Sequence, residues 1–186
     1  MPILGVVASG ISGHLVTGAF ESIATLNGDG SAASITFSSI PSTYNHLQIR
    51  MIVRDGATAS SQYELWFNAG ASATYATHII RGNGSTVYAG AFAVGGTEMR
   101  YAAQTTATTA NVFGASIIDI IDYASTSKNK TVRAFNGYNN NTTGNGYVYL
   151  VSSLWVSTSA VNAITIYNAN NDGLEIGSTF ALYGIK

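Results

Sequence analysis

The chain contains no cysteine, so disulfides and thiolate metal sites are excluded and stability has to come from packing. Charge is scarce: 9% of residues are charged, against about 25% in an ordinary soluble domain. Neither sign dominates, with 8 Lys+Arg, 9 Asp+Glu and a net charge of −1. There is no basic block, so nucleic acid is not an expected partner. Helical periodicity is also missing: no glycine-free window places apolar residues at i, i+3, i+4 and i+7 over a dozen positions. The apolar opening Met1–Thr17 lacks a preceding Lys or Arg, is broken by Gly5, Gly10 and Gly13, and is too short to span a bilayer. No membrane partner is expected from it. Serine nucleophile elbows, phosphate-binding glycine loops and zinc spacings are absent. The chain is therefore not expected to be an enzyme or to carry a cofactor or metal.

In place of charge there are 20 Gly, 20 Ser, 20 Thr and 15 Asn, beside 46% hydrophobic residues. Part of this excess fills turns. The remainder makes a wet, weakly charged surface that suits contact between subunits. At 186 residues the chain forms one domain that buries about 70% of the surface of its unfolded state.

The clearest local pattern is Ile40–Arg54. Leu47, Ile49, Met51 and Val53 alternate with His46, Gln48 and Arg50, with Ile52 the exception. Period two describes a strand with one buried face. Pro41 cannot donate a ladder bond and belongs in the turn before it. Further strands are predicted over 18–26, 33–40, 62–68, 75–81, 85–94, 97–101, 111–122, 130–136, 147–156, 161–167 and 174–186. Of these, Asn111–Asp122 is near-continuously apolar, which predicts a strand covered on both faces. Ala102–Ala110 is the segment with the weakest pattern. Short strands at this spacing, with turn residues between, predict an all-β fold: a jelly-roll-like antiparallel β-sandwich over 18–186 behind a short N-terminal arm over 1–17. Ile3, Leu4, Val6 and Val7 of that arm are candidate partner-docking residues, because clustered exposed aliphatics call for a covering surface.

Few side chains suggest chemistry. His14, His46 and His78 have no second ligand at metal spacing, so surface or capping roles are expected. Asp119 and Asp122 lie three apart and point to opposite faces of a strand. Asp119, among four isoleucines, is expected to be buried and paired with Arg50, Arg133 or Lys130. Asn168–Gly173 echoes the start of a calcium loop, but Asn stands first and Thr179 twelfth, so a plain turn is the better reading. The 20 aromatic residues mostly suit sheet packing. Trp66, Tyr138 and Asn140 are the candidates for glycan contact should the loops meet a host surface.

Four phrases carry a wider likeness: TFSSIPSTYNHLQIR (36–50), FGASIIDIIDYASTSKNKTVR (113–133), LWVSTSAVNAITI (154–166) and STFALYGIK (178–186). With the opening MPILGVVASG they resemble a group of small virion proteins of tailed bacteriophages, especially from aquatic and cyanobacterial hosts. The resemblance implies a structural role in the virion and a β-rich homotrimer, with no catalytic residues to carry over. It gives as expected partners the major capsid protein, in a capsid decoration (cement) role, or a tail protein. In the tail fibre alternative the loops would bind host surface glycans. A carbohydrate-active enzyme is the third and weakest reading, since it needs two facing carboxylates that the sequence does not display.

Overall fold

The structure, a computed structural model, describes residues 18–54, 56, 60–68, 75–96, 98–106, 109–140 and 146–186. The arm residues Ile3, Leu4, Val6 and Val7 lie outside the described residues. Twelve strands follow in order: β1 (Phe20–Asn27), β2 (Ser34–Phe37), β3 (His46–Val53), β4 (Ser60–Phe67), β5 (Tyr75–Gly82), β6 (Val87–Gly96), β7 (Met99–Thr106), β8 (Gly114–Ile121), β9 (Lys130–Asn139), β10 (Gly146–Trp155), β11 (Ile164–Asn168) and β12 (Thr179–Ile185). They form two antiparallel sheets. The large one has the order β1-β12-β3-β8-β9-β10-β5-β6 and the small one β2-β11-β4-β7. The expected all-β sandwich is the observed one.

The wiring explains the jelly roll. β1 pairs with β12, β2 with β11, β3 with β8 and β4 with β7. These nested pairs describe one long hairpin. Rolling it brings β12 beside β3 and β11 beside β4, which closes two four-stranded sheets. The hairpins β5–β6 and β9–β10 are insertions into that roll. Both join the same edge, beyond β8, and widen one sheet to eight strands.

Alternation sets the core. Along β3, Leu47, Ile49, Met51 and Val53 are buried, while Arg50 and Ile52 are exposed. Ile118 and Ile120 of β8, Val132 of β9 and Val151 of β10 join the same cluster as Leu65, Phe67, Ile164 and Ile166 of the small sheet. At one end of the core the rings of Phe67, Tyr75 and Trp155 lie 5.2–6.3 Å apart. Lys130, fully buried at the start of β9, donates to the carbonyls of Ser125 (2.8 Å) and Lys128 (2.6 Å). It ties down the β8–β9 turn and is not the partner of Asp119.

Three expectations change. Asp119 is not buried: it sits half-exposed on the outer face of β8 and accepts from the Gln48 amide at 2.8 Å. The isoleucines around it alternate, with Ile118 and Ile120 turned inward and Ile117 outward. Among the described residues the strand is covered on one face, not on two. β7 runs through the weakly patterned stretch to Thr106, because pairing with β4 defines it.

The closing strand shows how tightly the edge is built. Tyr44 lies over Gly184, where a Cβ would fall inside the ring. The Tyr44 hydroxyl donates to Glu21 (3.0 Å), and Glu21 also receives Lys186 Nζ (2.6 Å). Gly184→Ala is therefore expected to destabilise the fold by about 1–3 kcal/mol, the usual cost of overpacking, read as a lowered urea midpoint. An unchanged midpoint contradicts this packing.

Candidate functional site

The most unusual surface is the outer face of the large sheet. Cross-strand register arranges its side chains in rows. One row runs Ile52–Ala115–Gly137–Val148–Gly82–Val87 across β3, β8, β9, β10, β5 and β6. The next runs Arg50–Ile117–Phe135–Leu150–Ile80–Ala89 over the same strands. A third is polar: Gln48–Asp119–Arg133–Ser152–His78–Ala91. The fourth crosses Ile121, Thr131, Leu154 and Ala76.

The first two rows are apolar and open to water. Ile52, Ile80, Phe135, Val148 and Leu150 are each 54–58% exposed, and Val87 is 80% exposed. Covering such a half-exposed side chain yields on the order of 1 kcal/mol. Isolated exposed aliphatics are ordinary, but a contiguous block of them marks an interaction surface. A depression of about 570 Å³ opens over Ala115 and Gly137, walled by Ile52, Ile117, Phe135 and Val148. Glycine at 137 is required by the backbone, since a Cβ there would meet the Tyr147 carbonyl oxygen at 2.5 Å. Arg50 also lines this depression, and its guanidinium lies 5.1 and 5.5 Å from the ring centres of Phe20 and Tyr183, toward β12 and β1.

A second cluster collects at the far end of β9, β10 and β5. Tyr138, Tyr147, Tyr149 and Tyr101 form a chain of rings with centres 5.5–6.0 Å apart. The Arg81 guanidinium lies 4.8 Å from the Tyr88 ring centre and 5.4 Å from that of Tyr147, and it donates to the Tyr149 hydroxyl at 3.3 Å. A depression of about 300 Å³ between Asn83, Asn139 and Tyr147 adjoins it. Of the glycan candidates, Tyr138 and Asn140 are buried at this end of the large sheet. Trp66 is on the small sheet, its ring 4.3 Å from that of Tyr167. The three do not share a surface element. Arg81 and Tyr88, which meet beside Tyr147, carry no signal in the sequence, because only the β5–β6 register brings them together.

Two buried carboxylates were also hidden in the sequence. Glu64 accepts from Gln62 Nε2 (2.5 Å) and from the Tyr167 hydroxyl, and Glu98 pairs with Arg100 at 3.2 Å. The Tyr167 contact joins β4 to β11, while the Glu98–Arg100 pair lies at the start of β7. His46 caps the end of β8, its Nδ1 accepting from the Asp122 amide at 3.1 Å. In Asn168–Gly173, Asn168 Oδ1 accepts from the Asn170 amide, the arrangement of a plain turn. Among the described residues no three His, Asp or Glu are grouped to hold a metal ion.

The molecule thus belongs to the antiparallel jelly-roll sandwiches, with one sheet face left apolar. No protein-family model matches the chain, and no curated protein does. Among solved structures it is similar to an engineered GH43 glycoside hydrolase with endo-xylanase and exo-arabinofuranosidase activity, at TM-score 0.39 and 13% identity. That likeness covers 87% of this chain and 34% of the other, so the chain spans about a third of the hydrolase. It is also similar to the Eiger TNF protein of S. frugiperda at TM-score 0.21 and 9% identity, over 89% of this chain and 94% of that one. Likenesses this slight carry no argument about function.

Burial raises the Glu64 carboxyl above its ordinary value near 4.5, and nearby Glu98 adds to the effect. The folded state then holds the Glu64 proton more tightly than the unfolded chain. Stability from this group falls as pH rises from about 4.5 through the raised value. Glu21, Asp29 and Asp122 are lowered instead, each first by hydrogen bonds, so their contribution is lost only below the ordinary carboxylate range. Glu64→Gln should flatten the loss of stability as pH rises above about 4.5, a slope of at most about 1.4 kcal/mol per pH unit, in urea titrations. An unaltered slope contradicts the assignment.

Proposed function

We propose that this chain is a structural protein of a phage virion, a capsid decoration protein that stands on the shell as copies of itself and braces major capsid subunits. The homotrimer belongs to this reading through the resemblance of 36–50, 113–133, 154–166 and 178–186 to small phage virion proteins. The observation that supports a structural role is the apolar outer face, with Ile52, Ile80, Phe135, Val148 and Leu150 each more than half exposed. A face of that extent calls for another protein surface and not for a small substrate. Scarce charge points the same way, because 9% charged residues make a poor surface for a solitary protein. In this reading Ile3, Leu4, Val6 and Val7 anchor the protein to the shell.

The second reading, a tail module that binds host glycans, is favoured by the Arg81–tyrosine cluster. Tyr88 is 47% exposed beside a guanidinium, a pairing of flat ring and hydrogen-bond donors that suits a sugar ring. Gold-labelled antibody to this chain separates the two in electron micrographs of intact particles. Label over the heads is expected. Label at the tails alone replaces the first reading with the second, and unlabelled particles contradict both. Deleting Met1–Ser12 is expected to leave a folded protein that no longer co-purifies with particles; continued co-purification contradicts the anchoring role.

A further inference from the structure

We infer that the outer face of the large sheet packs on the same face of a second copy, about a two-fold axis that runs along the strands between β9 and β10. The apolar block itself fixes this position. It spans six strands, with β3, β8 and β9 on one side and β10, β5 and β6 on the other. A two-fold at the centre of a self-buried patch must pass between the third and fourth. An axis parallel to the strands keeps each row at its own height and exchanges the columns, so β9 faces the partner's β10, β8 its β5, and β3 its β6.

The rows then match. Phe135 meets Leu150 of the second copy and Ile117 meets Ile80, each contact occurring twice. Ile52 meets Val87, the most exposed of the large apolar side chains on this face. Val148 meets Gly137 and so enters the depression that the missing side chain leaves open. In the polar row Asp119 meets His78, a carboxylate opposite an imidazole, and Arg133 meets the Ser152 hydroxyl. In the fourth row Leu154 meets Thr131 and Ile121 meets Ala76. Arg50 meets only Ala89, and its charged head is already drawn aside over Phe20 and Tyr183. Moving the axis half a strand spacing, onto β9, sets Arg133 on itself, and moving it a full spacing, between β8 and β9, sets Leu150 against Arg50.

Extent and geometry fit a stable contact. Six strands about 4.8 Å apart by four rows about 6.7 Å apart give on the order of 600 Å² of flat area before side-chain relief. A standard interface buries about 800 Å² per partner. Aligned packing of twisted sheets, about 30° between strand directions, is compatible with an axis along the strands. A second copy also supplies the outer cover that the continuous apolar sequence of β8 calls for.

The inference concerns this face alone and does not rest on the virion reading: chain absent from particles leaves it standing, and a failed pairing leaves the virion reading standing. The test uses the full chain in sedimentation across concentrations. The native protein is expected to contain an even number of copies: six, where three such pairs stand around the three-fold of the virion reading, or two, which would replace the homotrimer of that reading; a monomer or an isolated trimer overturns the inference. His78→Glu sets acid against the partner's Asp119 and should weaken pairing at least tenfold. Adding Asp119→Lys to the same chain should restore it. Within one chain these positions are three strands, about 14 Å, apart, so a contact inside the chain cannot produce the rescue. A double variant no tighter than His78→Glu overturns the register. Phe135→Ser, an exposed position beside the axis, should give monomers with an unchanged strand spectrum; a variant that still pairs overturns the face.

Discussion

Everything in this molecule depends on one seam, the apolar layer between an eight-stranded sheet and a four-stranded one. Ile49, Ile118, Val132 and Val151 belong to the same buried cluster as Leu65, Phe67, Ile164 and Ile166. That layer fixes the register of each strand, because a slip of one residue would turn a buried row out to solvent. It also fixes what faces outward. Once Val132 and Ala134 point inward, Arg133 and Phe135 must point out. The apolar outer rows are therefore set in place by the core, and their composition is a separate property of the sequence.

The two inserted hairpins change the character of the fold. Without them the roll has two sheets of four strands that cover each other. By adding β9, β10, β5 and β6 to one edge, the chain builds a sheet twice as wide as the layer beneath it. Much of the exposed apolar surface, Phe135, Val148, Leu150, Ile80 and Val87, lies on those added strands. The same extension assembles the tyrosine cluster around Arg81. Both candidate surfaces thus draw on the insertions, on a frame that many unrelated activities share.

How much was legible in the sequence follows from what is local. The alternation in 46–53 identifies β3 and its buried face directly, and the turn residues between apolar runs give the all-β class. The order of strands is not local. That β1 pairs with β12 and β2 with β11 depends on contacts across most of the chain, which no short pattern encodes. Run 111–122 has the near-continuous apolar pattern of a doubly covered strand. Its composition asks for two covers, and the described residues provide the inner one, so local composition does not tell a face buried within the chain from one left open. Glu64 and Tyr167 meet because β4 and β11 are neighbours, a pairing hidden by about a hundred intervening residues.

The central claim is that the outer face is covered by its own copy. Methyl NMR on the native chain tests it without any substitution. Ile117 and Ile80 lie on strands three apart, about 14 Å, beyond the reach of a nuclear Overhauser effect within one molecule. The pairing predicts a direct cross-peak between their methyl groups. A spectrum at millimolar concentration with both methyl resonances resolved and no such cross-peak would contradict it.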